Sequence, residues 1–150
     1  MKNCKTHKNC ISDAIKSAEK ICEEQGLNLT KQRKNVLELV WKSHKPAKAY
    51  DILKQIDKKD SLQPPIVYRA LDFLLKHGMI HKINSLNAFV GCSHPLIHEQ
   101  CYFLICEKCE TAQECCNDSM KNEIAKTAKN EDFEVKKVSV EIRGICKNCK

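Results

Sequence analysis

Pro64-Pro65-Ile66-Val67-Tyr68-Arg69-Ala70-Leu71-Asp72-Phe73-Leu74-Leu75-Lys76-His77-Gly78 reads as one short helix with its start and stop written into it. Proline suits a helix start, because its φ is already helical and its missing N–H would have had no partner there. Gly78 follows the last apolar turn, where a left-handed residue ends a helix. Val67, Ala70, Leu71, Leu74 and Leu75 recur at helical spacing and make a buried stripe. Tyr68, Arg69 and Asp72 fall off that stripe. A helix presenting Tyr and Arg from its first turn suits the DNA major groove, where Arg bonds guanine edges. The alternative is a surface helix with a solvated Arg. Residues 79–83 and 88–90 then alternate as two strands around the turn Asn84-Ser85-Leu86-Asn87. A helix followed by a tight hairpin is the ending of a winged helix-turn-helix.

Upstream, the chain supplies the rest of such a unit. A first helix is predicted over 11–25, with Ile11, Ile15, Ala18 and Ile21 or Cys22 on one face and Gly26 as its stop. Thr30 caps a second over 31–43, with Val36, Leu37, Val40 and Trp41 inward. Pro46 starts a third over 47–57, burying Ile52, Leu53 and Ile56. Tyr50, near its start, either packs or reaches a base methyl or a phosphate. Residues 1–10 are polar and expected to be flexible; Cys4, His7 and Cys10 are evenly spaced there, but a loose terminus preorganises ligands poorly. The first part therefore reads α-α-α-α-β-β over residues 1–91.

Charge divides the chain at the same place. Residues 1–91 hold 17 Lys/Arg against 9 Asp/Glu, whereas residues 92–150 hold 9 against 10, so the excess positive charge lies wholly with the helix just described. That is the footprint expected of a phosphate-binding module joined to something else. Beyond Gly91-Cys92-Ser93-His94-Pro95 the pattern predicts strands over 101–105 and 111–115. An amphipathic helix follows over 118–129, carrying Met120, Ile124 and Ala128, and then a long strand over 133–142. The expected class is α+β: an N-terminal winged helix-turn-helix, then a small α/β domain over 92–150 with a three-stranded sheet.

The start, Met1-Lys2-Asn3-Cys4-Lys5, has no apolar core of a leader, and no run of about 18 apolar residues offers a membrane span, so a cytoplasmic protein without membrane contact is expected. Thiols stay reduced there, and the odd total of 11 cysteines points to metal rather than disulfides.

Cys106-Glu107-Lys108-Cys109 and Cys146-Lys147-Asn148-Cys149 are two Cys-x-x-Cys knuckles, each following a predicted strand. Together they supply the four thiolates of a closed tetrahedral zinc site. A redox role fits poorly, since neither pair opens a helix in a βαβ setting. Zinc here would pin the end of the long strand to the first strand of the same sheet. A looser set is His81 in the wing, Cys92 at the boundary, His94 and His98 beyond it, and Glu114. An ion held there would tie the two parts together, as a metal-controlled switch requires, and the cysteine favours zinc over iron(II) or manganese(II). Cys22, Cys101, Cys115 and Cys116 have no role legible in the sequence.

The runs Leu29-Thr30-Lys31-Gln32-Arg33, Ala49-Tyr50-Asp51-Ile52-Leu53, Val67-Tyr68-Arg69-Ala70-Leu71-Asp72-Phe73-Leu74 and Gly78-Met79-Ile80-His81-Lys82 resemble the ferric uptake regulator (Fur) family, and within it the branch of zinc uptake regulators. The resemblance covers roughly residues 11–149. It implies a homodimeric, zinc-dependent transcriptional repressor with a C-terminal dimerisation domain. Such a protein binds palindromic operators of zinc-uptake genes with zinc as co-repressor, two ions per chain. Cys106, Cys109, Cys146 and Cys149 match the structural ligands. His81, Cys92 and Glu114 match three regulatory ligands; His98 is the choice for the fourth, with His94 or Glu99 as substitutes because the spacing to Cys106 is one residue long. Tyr50 and Arg69 match base-contacting residues, with Tyr68 near a phosphate. Ile66 departs from the Thr or Ser usual there, removing a hydroxyl that could touch phosphate. The His-rich run of the iron branch is absent. The alternatives are an iron- or peroxide-sensing regulator of the same family, or a zinc hydrolase or deaminase. His98-Glu99 beside Cys106-x-x-Cys109 only faintly resembles the deaminase signature, which needs His-x-Glu and a Pro before the first Cys. No enzyme activity is expected.

Overall fold

The computed structural model describes residues 7–43, 45–57, 63–97 and 101–150. They form two compact units, one up to residue 98 and one from residue 99, so the division falls several residues beyond the expected boundary at 91/92.

In the first unit α1 runs His7–Glu24, α2 Lys31–Trp41, β1 Ala47–Lys48, α3 Ala49–Asp57, α4 Pro64–Lys76, β2 Ile80–Ile83 and β3 Ala88–Gly91. The helices form because each carries one apolar stripe and a start or stop signal. Thr30 caps α2, its hydroxyl accepting a hydrogen bond from the Arg33 amide at 3.3 Å. α4 begins after Gln63 with no side-chain cap, and its two leading prolines have no N–H to satisfy. Gly78 closes it at φ 68°. Ile21, Val36, Leu37, Val40, Ile52, Val67, Leu71, Leu74 and Ile80 fill one core among α1–α4 and β2.

Two expectations are corrected here. The third helix does not begin at residue 47: Ala47 and Lys48 are a short strand, paired antiparallel with Phe89 and Ala88 of β3. The sheet order is therefore β1-β3-β2 and the wing has three strands. Tyr68 and Arg69 are the fifth and sixth residues of α4, which starts at Pro64 as read, so at 3.6 residues per turn they stand on its second turn and not on its first. The hairpin itself is as read, with His81 opposite Val90 and a 3-10 turn over Asn84–Leu86 ending in left-handed Asn87 at φ 45°.

In the second unit β4 runs Cys101–Cys106, β5 Ala112–Cys116, α5 Asp118–Asn130 and β6 Glu141–Gly144. The sheet has three strands in the order β5-β4-β6, with β4 antiparallel to β5 and parallel to β6. Asn117 caps α5 through the Ser119 amide at 2.8 Å. The expected long strand over 133–142 is shortened to Glu141–Gly144. Side-chain alternation continues upstream, but a strand also needs a ladder partner, and pairing with β4 begins only at Glu141↔Phe103. Met120, Ile124, Ala128, Phe133, Val135 and Val138 line an open apolar groove between α5 and that segment.

Candidate DNA-reading face and metal centres

Burying Val67, Ala70, Leu71 and Leu74 turns the opposite face of α4 outward, and Tyr68, Arg69 and Asp72 lie on it exposed. Tyr68 is half exposed and Tyr50, one residue into α3, is 64% exposed. The Lys54 ammonium sits over the Tyr50 ring, 4.4 Å from its centroid, where the negative face of the ring attracts it. Lys48 and Lys54 are exposed near Tyr50 in the chain. A helix with Arg and Tyr outward, in a unit that also exposes Lys48, Lys54 and a β-wing, has the elements that enter a groove and grip the flanking phosphates.

The four knuckle cysteines converge at one end of the second sheet. Parallel pairing puts the ends of β4 and β6 side by side, with Cys106 opposite Gly144. The turns that follow bring the sulfurs of Cys106, Cys109, Cys146 and Cys149 within 4.8 Å of one another. The Cys109–Cys146 sulfur separation is 3.8 Å. Four ligands at the usual Zn–S length of about 2.3 Å have tetrahedral edges of about 3.8 Å, so the spacing fits zinc. Backbone N–H groups already point at the first sulfur: the Cys146 amide donates to Cys106 Sγ at 3.4 Å. Those amides, from Cys146 first and then Cys109, pull the Cys106 thiol down to about 6 from 9.0. The Thr111 hydroxyl, 3.1 Å from Cys109 Sγ, lowers that thiol too. Cys149 is pushed up to about 12 by the crowding sulfurs of Cys146 and Cys109. One sulfur ionises readily and another holds its proton hard; a divalent cation reconciles four sulfurs at this range.

In the wing, antiparallel register places His81 opposite Val90, and Cys92 therefore lies diagonally across from His81 on the same face. The Cys92 amide donates to the Met79 carbonyl at 3.1 Å, extending the ladder one step past β3. The His81 ring nitrogen and Cys92 sulfur come within 4.8 Å, with Cys92 buried and His81 half-buried. Imidazole and thiolate at that range are a ready pair of ligands for a borderline-soft cation. Glu114 lies half-buried on β5, opposite Phe103. His94 is exposed, and His98 and Glu99 lie outside the described residues, as does Cys4.

The reduced state expected of every cysteine does not hold. Cys101 and Cys116 form a disulfide, because β4 and β5 pair them directly opposite one another with Cα atoms 4.3 Å apart. Nothing in a spacing of 15 residues signals that; strand register alone creates it. Cys22 is a buried core residue, and Cys22 and Cys115 are in no disulfide.

A winged helix carrying an exposed Tyr-Arg face, followed by a small sheet whose end gathers four thiols, is the build of a metal-dependent transcription regulator. The profile of the Ferric uptake regulator family matches residues 24–143, and the chain belongs to that family. It is 34% identical over 146 residues to the zinc uptake regulation protein of Escherichia coli (strain K12), covering 95% of this chain and 84% of that protein. The zinc uptake regulation protein of Shigella flexneri matches to the same extent. The crystal structure of holo XcZur superposes with a TM-score of 0.85 at 39% identity, over 93% of this chain and 97% of that one. A zinc uptake regulator complexed with zinc and DNA superposes with a TM-score of 0.85 at 31% identity, covering 96% and 95%.

Proposed function

We propose that this chain is a zinc-responsive transcriptional repressor that binds palindromic operators of zinc-uptake genes as a homodimer, with zinc as co-repressor and two zinc ions per chain. The observation that carries the reading is the pairing of His81 with Cys92 inside the same unit that exposes Tyr68 and Arg69. Cys106, Cys109, Cys146 and Cys149 hold the structural ion. His81 and Cys92, with Glu114 and a fourth ligand in His98 (His94 or Glu99 as substitutes), hold the regulatory one. The assignment of Glu114 and His98 rests on the family resemblance. The ion supplies a fixed link between ligands from distant parts of the chain. His81 and Cys92 anchor that link on the wing; Arg69 and Tyr50 read base edges, and Tyr68 steadies the backbone.

Dimerisation is supported by apolar side chains that a single chain leaves uncovered: Leu104, Phe133, Val135, Ile142 and Ile145, all in the second unit. The alternating segment upstream of β6 offers backbone groups for a further ladder, and a second copy brings the same segment. Two α4 helices in such a pair address half-sites about 34 Å apart, one helical turn of DNA.

A cysteine in the regulatory set favours zinc over iron(II) or manganese(II), which separates this reading from an iron- or peroxide-sensing relative. Four thiolates fill the coordination sphere of the other site, which gives a hydrolytic water no place on it. The test is an operator gel shift with metal-stripped, reduced protein titrated with zinc, iron(II) or manganese(II). Zinc restores binding at the lowest free concentration, and Cys92→Ser lowers that response about 5- to 150-fold, the range of a coupling of about 1–3 kcal/mol. Equal responses to all three metals, or an unchanged response in Cys92→Ser, overturns the reading.

A further inference from the structure

The metal centres proposed above use neither Cys101 nor Cys116. These two sulfurs and the Glu114 carboxylate all lie within 4.8 Å of one another, among the described residues. The reason is register. Cys101 faces Cys116, Phe103 faces Glu114, and residues 114 and 116 share one side of β5. Cys101 and Glu114 are half-buried, and Cys116 is exposed at the sheet end, so solutes reach the pair. The same two sulfurs are close enough to join, and in this structure they are joined.

We propose that Cys101 and Cys116 are a redox-convertible cation site: as thiolates they bind a thiophilic divalent ion together with Glu114, and as a disulfide they release it. The site needs neither His81 nor Cys92, and so does not rest on the function proposed above. Two thiolates and one carboxylate make a donor set that zinc and cadmium accept and that magnesium and calcium do not.

The redox step balances with a peroxide as oxidant. One thiolate attacks a peroxide oxygen, the O–O bond breaks, and a sulfenic acid and one water form once a proton is taken up. The second sulfur attacks the sulfenic sulfur, the S–O bond breaks, and hydroxide leaves, taking up a second proton from solvent to become a second water. The two sulfurs lose two electrons, the peroxide is reduced to two waters, and the ion loses both sulfur ligands together. Reducing the bridge with a dithiol restores the site.

The test uses the full chain and Cys101→Ser/Cys116→Ser, both held reduced, loaded with cadmium, desalted and counted for metal. The wild type is expected to hold one more cadmium per chain than the double variant, with a stronger thiolate-to-cadmium charge-transfer band. Limiting hydrogen peroxide then releases that ion, lowers the free-thiol count by two, and yields a peptide linked through Cys101 and Cys116. His81→Ala keeps the extra ion while losing any zinc-dependent operator binding, which separates failure of this proposal from failure of the regulatory reading. Equal cadmium in wild type and double variant overturns the proposal, as does peroxide that links other cysteines or releases no ion. Retention of the four-thiolate ion by the double variant shows that it remains folded.

Discussion

Gly91→Ala is expected to be the most damaging one-methyl change in the DNA-reading unit. A Cβ built on Gly91 would stand 2.0 Å from Trp41 Cε2, 2.2 Å from Nε1 and 2.5 Å from Cζ2. Ordinary contact begins near 3.4 Å, so the indole or the strand has to give by about 1.4 Å. Trp41 ends α2 and packs half-buried on the core, and Gly91 ends β3 next to Cys92, so neither side yields freely. Overpacking of this kind costs about 1–3 kcal/mol. The lower unfolded-state entropy of alanine offsets only about 0.4–1 kcal/mol of that. A net loss of about 1–2 kcal/mol lowers the midpoint of thermal unfolding by roughly 4–16 °C in a unit of this size. Trp41 is the single tryptophan, so its fluorescence reports the displacement directly and follows urea unfolding at an unchanged m-value. Trp41→Leu makes room for the new methyl, so the double variant is expected to be more stable than the sum of the single losses by about 1 kcal/mol or more. Additive losses, or a Gly91→Ala chain as stable as the wild type with the same emission, would refute the steric argument.

Three further outcomes are expected. Cys109→Ser leaves three sulfurs at the sheet end, so the chain should lose one zinc and gel filtration should show its second unit expanded or dissociated; a variant with unaltered zinc content and elution would rule out the structural role. Arg69→Ala should weaken operator binding by about 1–3 kcal/mol and relax preference at one base pair per half-site, whereas a uniform loss over all sequences would make Arg69 a phosphate contact. Zinc capture by the four thiols should release a pH-dependent number of protons. Cys106 has a folded value of about 6, below 9.0, so its ionised form stabilises the native state fully above 9.0 and that contribution is lost as pH falls through about 6. Cys149, at about 12, keeps its proton throughout this range. Titration calorimetry in buffers of different ionisation heat should count at most three protons near pH 8 and about four near pH 5, and a pH-independent count would show the amides do not act on Cys106.

The helices and hairpin of the first unit are legible because each has a stripe with the right period and a stop. β1 is not, since two residues carry no periodicity and Ala47-Lys48 become a strand only by pairing with Phe89 and Ala88. α1 begins at His7, four residues before its apolar stripe, because polar residues extend a helix without marking it. Residues 133–140 show the converse: their alternation describes side chains, whereas a strand is defined by the partner of its amides. In the metal centres, the two Cys-x-x-Cys pairs announce themselves by spacing. His81 and Cys92 are 11 positions apart and meet only through the hairpin register. Cys101 and Cys116 give no local signal at all, because their meeting is a property of β4 against β5.

β4 and β6 lie side by side although Phe103 and its partner Glu141 are 38 positions apart in the chain. Closing a loop of that length costs about 3 kcal/mol of chain entropy before any contact compensates for it. The helices of the first unit have short connections and meet early, so refolding should run in two stages, with the last strand docking late. Cation supply then sets the pace of the second stage, and a chain refolded in a chelator should stall with its helices formed and its final strand still searching.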